Sequence, residues 1–392
     1  MTRALRIGIS TCPNDTFAFH ALLTGAVQAE GLELSFELLD VQELNERMLA
    51  GRFDAAKVSF HAALALAADT FVLPSGSALG HGVGPLLLAA APDRTPAPAA
   101  LVLCPGRWTT ATLLYRLFHP DGGRIEHRVF SDIFPALQGA EVDLGVCIHE
   151  GRFTWREAGL SYVEDLGERW EAETGLPLPL GGIVARRDLG AEALESLQEA
   201  IHASLSWALA HREDCLPTLR RYAQELSDDV LWAHVDLYVN ERTLDLGREG
   251  GVALAALADL ARARGLLAPG ADLELLGRGA SRLFHLLPWS AWDELGPAPG
   301  AEHRPESLAR EGFVHLSFAD QLQGTLDAHF AGAPPLALLE LHPARVGADL
   351  RLEPSRGGAL FPHLYRPLRR ADAARAWRLA PSSGRFELPD EV

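Results

Sequence analysis

The sequence predicts an α/β protein built as two lobes around a cleft, followed by a separate small α+β domain. Three observations carry that prediction. Strand-like and helix-like stretches alternate through the first half of the chain. Two breaker-rich segments, 91–98 and 175–182, divide the alternation. From about residue 278 the rhythm changes to short strand-like runs, many turns and six of the fifteen histidines. A length of 392 residues suits two or three compact units.

Taken in order, residues 5–9 read as a strand, and Asn14-Asp15-Thr16 offers an N-cap to a helix running to about Val27. Residues 32–38 alternate apolar and polar with period two, the pattern of a half-buried strand. Asp40 caps a helix that stops at Gly51, and residues 55–59 form a short strand leading into an Ala/Leu helix ending near Asp69. This rhythm predicts a mostly parallel sheet covered by helices. After an apolar run at 85–89 come three prolines in 92–98, a hinge by composition. A second set follows: strand 101–104, helix from Thr109, strand 125–130, helix 132–138 and strand 142–148. The chain returns through 175–182 to a strand at 183–185, and 190–265 reads as helical with Gly265 as the stop. Two α/β lobes joined by two crossings are the arrangement of a two-lobed periplasmic-binding-protein-like fold (type II). We expect lobe 1 at about 1–92 and 184–276, lobe 2 at about 99–180, and the α+β domain at 278–392, with strands at 314–317, 336–341 and 350–352.

Composition removes several classes of function. The net charge is −17, and it is uneven: residues 1–276 hold 22 basic against 38 acidic side chains, residues 277–392 hold 13 against 14. An acidic surface repels phosphate backbones and anionic lipid, so nucleic acid and membrane surfaces are disfavoured partners. No apolar run approaches the ~18 residues that span a bilayer, and the N-terminus runs directly into a strand without a secretory apolar segment. Cys12, Cys104, Cys147 and Cys215 are far apart and form no CxxC pair, against a thiolate metal site or a disulfide framework. We therefore expect a cytoplasmic protein with a small-molecule ligand; the sequence leaves its oligomeric state open.

Four loops follow strand ends, where open α/β sheets bind ligands. In Ser10-Thr11-Cys12-Pro13-Asn14-Asp15-Thr16, a helix start suits a carboxylate or hydroxyl, although plain capping explains Asn14 and Asp15 equally well. Lys57-Val58-Ser59 holds the only lysine among 35 basic residues. Where arginine serves every other cationic position, a retained ammonium points to chemistry that a bulky planar guanidinium cannot perform. Alternation sets Lys57 and Ser59 on one side of their strand. The third loop, 75–85, has four glycines in nine residues and contains Ser77, but it lacks the GxxxxGK[ST] pattern of a phosphate-binding loop. In Pro105-Gly106-Arg107-Trp108-Thr109-Thr110, two hydroxyls stand at a helix start, one of them an ordinary N-cap. Finally, His149 ends a buried-looking strand, a position from which an imidazole acts as a general base near neutral pH. No helical His pair with an intervening Glu and no GxSxG are present, so metalloprotease and esterase readings have no support.

Several of these strings together resemble one family. Residues 10–17, Lys57-Val58-Ser59, residues 77–85, 148–154, 175–181, 223–227 and Tyr238-Val239-Asn240 are similar, in order, to the 1,4-dihydroxy-6-naphthoate synthases of the futalosine route to menaquinone. The resemblance covers about residues 4–270. It implies conversion of cyclic dehypoxanthinylfutalosine to 1,4-dihydroxy-6-naphthoate with release of dihydroxyacetone, without metal or organic cofactor. His149 matches the family's proton acceptor; Lys57, Val58 and Ser59 match one substrate-binding string, Thr109 and Thr110 another. Asn14, Ser77 and Arg152 lie in the remaining matched strings and join the substrate-binding candidates. Two alternatives share the fold: a binding module without catalysis, and chorismate dehydratase, against which the His149 string argues. The segment beyond 278 departs from the family. Residues 283–286, 304–317 and 352–368 resemble a small bacterial family of undetermined activity associated with an ADP-ribosyltransferase-like fold, with His315, Ser317, His363 and Tyr365 as residues that line a pocket or merely satisfy one another.

Overall fold

The computed structural model describes residues 2–392 except 150, 224–226, 268–271, 280 and 382–384. Glu150 and residues 224–226 of the matched strings therefore lie outside the described residues. Eleven strands build the two lobes: β1 (Arg3–Ser10), β2 (Leu32–Leu39), β3 (Ala55–Ser59), β4 (Thr70–Val72), β5 (Ala78–Gly80), β6 (Leu86–Ala89), β7 (Leu101–Cys104), β8 (Arg124–His127), β9 (Leu144–Cys147), β10 (Ser161–Asp165) and β11 (Leu178–Arg186). The first sheet has the order β2-β1-β3-β11-β4, with β5 also on β11; the second has the order β10-β6-β9-β7-β8.

Each predicted strand of the two lobes is present, and the long Leu32–Leu39 strand shows the expected alternation of half-buried and exposed positions. The caps read from sequence are also there. The Asp40 carboxylate accepts from the Gln42 amide ahead of the Val41–Leu49 helix, and Thr109 Oγ1 accepts from the Thr112 amide ahead of Thr110–Phe118. The helix expected from Asn14 to Val27 is instead two short ones, Pro13–Ala18 and His20–Thr24, closed at Gly25 in the left-handed region. The helical region 190–265 is broken into several helices, the longest being Ala191–Ala210 and Gly247–Ala263.

Two expectations differ from the structure. The sheets are mixed, because β11 runs antiparallel to β3, β4 and β5, and β6 runs antiparallel to β9 and β10. The first lobe does not extend to residue 92. β6 already belongs to the second sheet, so the first crossing is the glycine-rich loop between Gly80 and Leu86 rather than the proline cluster at 92–98. The reason is a close approach of two backbones. A Cβ on Gly84 would lie 2.3 Å from Gly167 Cα, so the crossing chain presses directly on the start of the Leu166–Thr174 helix. Proline composition marks a stiff loop; here it marks the one joining β6 to β7 inside the second lobe.

Beyond the lobes every strand pairing is antiparallel. The main sheet pairs Ser317–Phe318, Leu283–Pro288, Leu336–Leu341 and Ala373–Leu379; a second joins Val314–His315, Leu360–Leu364 and Leu350–Pro354. This domain packs on the lobes. A side chain at Gly175, whose φ is +66°, would meet Ala348 Cα at 2.3 Å, and one at Gly347 would meet the Thr174 carbonyl. Apolar residues of both parts, among them Leu257, Leu283 and Val346, belong to one contiguous buried cluster. Among the described residues no helix is long and apolar enough to cross a membrane.

Candidate active site

Between the two sheets lies a cavity of about 100 Å³. Its walls come from strand ends and helix starts: Ser10 to Asp15 after β1, Lys57 to Ser59 at the end of β3, Ile148 and His149 after β9, the start of Thr110–Phe118, and His234 and Tyr238 from the Asp228–Tyr238 helix. Pairing of β3 with β11 fixes the height of Lys57 opposite Ile183.

At one wall Asp15 organises a buried polar knot. Its carboxylate accepts from Lys57 Nζ (2.5 Å), Asn14 Nδ2 (2.9 Å) and Ser10 Oγ (2.5 Å), while Lys57 also donates to the Gly76 carbonyl at 2.9 Å. Lys57 is 5% exposed and Asp15 3%, so the two charges form a desolvated pair. Beside them the Ser59 hydroxyl and amide are paired with the Asn45 side chain.

His149 occupies the opposite wall. Its φ of +55° turns the chain sharply out of β9 into the Gly151–Thr154 helix, a conformation uncommon for a side-chain-bearing residue. The imidazole meets Phe130 edge-on at 4.9 Å and stands 3.5 Å (Nδ1) and 3.7 Å (Nε2) from Cys12 Sγ. His234 lies nearly parallel to it, ring centres 6.1 Å apart at 23°. Burial, then the charges of His149 and Lys57, drive the His234 pKa well below the usual histidine value, so its ring is neutral. His61, behind the Thr109 carbonyl that its Nδ1 faces at 3.2 Å, is held down to about 4, mainly by burial.

Of the residues singled out from sequence, His149, Lys57, Val58, Ser59, Thr109, Thr110 and Asn14 all line this cavity. The threonine hydroxyls donate elsewhere, Thr109 to the Gly106 carbonyl at 2.9 Å and Thr110 to that of Leu180 at 2.6 Å. What this loop presents to a ligand is therefore the first helical amides, which no intrahelical bond can use. Ser77 and Arg152 are placed outside the lining. Ser77 is fully buried near Phe60 and Gly182. Arg152 braces the second crossing loop, donating to the Gly84 carbonyl and pairing with Asp165, each at 2.7 Å. Sequence reasoning missed His234, named Tyr238 only within a matched string, and treated Asp15 as a cap. The available signal was a helical stripe: Leu231, His234, Val235 and Tyr238 share one buried face of their helix, with an imidazole among apolar neighbours.

Fold and cleft together define the two-lobed architecture of periplasmic ligand-binding proteins. The alkanesulfonate-binding protein SsuA of Xanthomonas axonopodis pv. citri, solved with MOPS bound, shares it at a TM-score of 0.51 and 15% identity over 68% of this chain and 94% of that one. Residues 5–263 match the family model described as menaquinone biosynthesis. The 1,4-dihydroxy-6-naphthoate synthase of Thermus thermophilus is 49% identical over 267 residues, 68% of this chain and 97% of that protein. The crystal structure of protein AF1704 from Archaeoglobus fulgidus superposes with a TM-score of 0.64 at 30% identity, over 67% of this chain and 98% of its own. The chain belongs to the family of 1,4-dihydroxy-6-naphthoate synthases, lyases of menaquinone biosynthesis that act on a small-molecule substrate. Residues 286–376 match a second family, described as of unknown function (DUF952).

Proposed function

We propose that this cleft cleaves cyclic dehypoxanthinylfutalosine to 1,4-dihydroxy-6-naphthoate, releasing dihydroxyacetone, with His149 as the general base. The observation that carries the reading is the shared cavity: the His149 imidazole, the buried Lys57–Asp15 pair and the start of the Thr110–Phe118 helix all line it. The step is retro-aldol in type. His149 takes the proton of a hydroxyl on the ring carbon, and that oxygen becomes a ring carbonyl as the neighbouring carbon–carbon bond breaks. The bond's electron pair leaves with the three-carbon fragment as its enediolate, and the ring dione tautomerises to the aromatic diol. The Thr110 and Ala111 amides, at the positive end of their helix, suit the naphthoate carboxylate. Lys57, fixed by Asp15 and Gly76, sets a positive charge beside the oxygens that gain negative charge. Aromatisation supplies the driving force, and the chemistry needs no electron acceptor.

We assign the synthase to residues 1–276 and the second domain to 278–392; residues 275 and 283 begin to separate them, Leu275 bridging to Val72 in the first lobe and Leu283 opening the antiparallel sheet. We place the enzyme in the cytoplasm, where a reducing medium suits its four free cysteines. The test is direct. Full-length protein is incubated with cyclic dehypoxanthinylfutalosine and the products are followed by mass spectrometry. 1,4-Dihydroxy-6-naphthoate is expected, and its loss in His149→Ala. Substrate recovered unchanged from wild type overturns the lyase assignment and leaves a binding module.

A further inference from the structure

We propose that His234 is a second catalytic residue of this cleft: a neutral imidazole whose N–H holds the substrate oxygen that becomes negative as the carbon–carbon bond breaks. The inference rests on the lyase reading and deepens it.

His234 is a buried polar side chain that packing alone does not need. His234 sits on the face of the Asp228–Tyr238 helix that also carries Leu231, Val235 and Tyr238, all buried. It is 1% exposed, yet neither Nδ1 nor Nε2 has a hydrogen-bond partner among the described residues. Buried polar atoms are paired in nearly all native structures, and an exception asks for an explanation. For core packing alone, leucine would fill this stripe without leaving a donor and an acceptor unmatched. His234 lines the cavity together with His149, Lys57 and Tyr238, so the partner that its nitrogens lack is the molecule that enters there.

Its protonation state suits the role. Burial, with His149 and Lys57 close by, keeps the ring neutral. A neutral imidazole offers one N–H and one lone pair, a donor fixed before the reaction and aimed at developing charge. Ring centres 6.1 Å apart let His149 and His234 address two oxygens of one small functional unit. In the balanced step, with the sugar ring open, the hydroxyl on the ring carbon gives its proton to His149 and its oxygen becomes a ring carbonyl. The electron pair of the broken bond moves into the carbonyl of the departing three-carbon fragment, whose enediolate oxygen is held by the His234 N–H. His149 returns the proton to that fragment, which leaves as dihydroxyacetone, and the ring dione tautomerises to the aromatic diol.

Full-length His234→Leu and His234→Gln separate this role from packing. With cyclic dehypoxanthinylfutalosine as substrate, His234→Leu should lower kcat about 100-fold or more, the scale of losing one donor to a developing oxyanion. KM should stay within about threefold, and the thermal midpoint should match or exceed wild type, because an unpaired polar group has been removed. His234→Gln, which keeps an N–H, should recover at least about tenfold of the loss. A kcat for His234→Leu within about threefold of wild type overturns the proposal, as does a fallen thermal midpoint with full activity per folded molecule. Wild-type protein that makes no naphthoate overturns the lyase reading itself, a separate outcome.

Discussion

Imidazoles cluster at two places in this molecule, and they are held in different ways. In the cleft, His149 and His234 are positioned by backbone, one by a left-handed turn at a strand end and one by helix periodicity, and both face shared space. In the C-terminal domain, His285, His303, His315 and His363 pack on side chains and on each other. Phe313 stacks on His363 with centres 4.0 Å apart at 14°, His315 meets His363 edge-on at 5.3 Å, and His285 lies 5.6 Å from His303. Glu353 accepts from His363 Nδ1 at 2.8 Å and from the Tyr365 hydroxyl at 2.7 Å, and Ser317 bonds to Thr325. Among the described residues no group of three or more such side chains is arranged to hold a metal ion. The contrast teaches that histidine density is a poor marker of chemistry. What distinguishes the cleft is that two imidazoles and a buried ion pair line one shared cavity.

The sharpest way to break this comparison is to remove one imidazole from each cluster. His149→Ala should reduce naphthoate formation about 1,000-fold, the range of a positioned general base, with an unchanged unfolding midpoint. His363→Ala should leave kcat within about twofold of wild type. The reverse result would move the chemistry to the second domain. Next in size is the Lys57–Asp15 pair. Lys57→Met strands a buried carboxylate and should destabilise the first lobe by about 3–5 kcal/mol in denaturant titrations, alongside the loss of activity. Lys57→Arg should not restore activity, since a planar guanidinium cannot occupy the site of a compact ammonium bonded to Asp15 and Gly76. Unchanged stability in Lys57→Met would show that the pair is solvated rather than buried.

These contrasts explain what was legible in the sequence. Strand ends were readable because strand-like runs stop at Lys57-Val58-Ser59 and before His149, and the structure places both at the cavity. Capping at Asp40 and Thr109 is local and was equally plain. The crossing between lobes was not, because its cause is a contact between Gly84 and Gly167, far apart in sequence, whereas prolines at 92–98 gave a louder local signal. Asp15 looked like a cap because nothing local shows that Lys57, on another strand, reaches its carboxylate. His234 was invisible for the same reason: a histidine in an apolar stripe is ordinary until the opposite wall is known.

A smaller effect compares the two parts on equal terms. His61 in the synthase and His285 in the C-terminal domain are each held down to about 4, chiefly by burial. Each is neutral when folded and takes up a proton on unfolding below about 6.5. The unfolded state then binds more protons, so the stability both contribute is complete above pH 6.5 and falls as pH drops from 6.5 towards 4. Denaturant midpoints measured across that window should decline, and His61→Gln and His285→Gln should each flatten part of the decline. A slope unchanged in both variants would mean that other groups carry the acid sensitivity.

The smallest expected effect lies where the two parts touch. His342 Nδ1 meets Asp259 at 2.7 Å, joining the second domain to the Gly247–Ala263 helix of the first lobe, and the Arg248–Asp320 pair adds an exposed contact on the same helix. Beneath these polar links the two parts share one apolar cluster, and the Gly347 turn fills the surface beside Thr174 and Leu176. The burial is therefore what holds the domain in place, and one half-buried polar pair adds little to it. His342→Ala should cost less than about 1 kcal/mol and leave kcat unaltered, whereas Gly347→Leu, which forces a side chain into the Thr174 carbonyl, should loosen the interface and split thermal unfolding into two transitions. A single transition in Gly347→Leu at the wild-type midpoint would show that the coupling of the two parts does not depend on this contact.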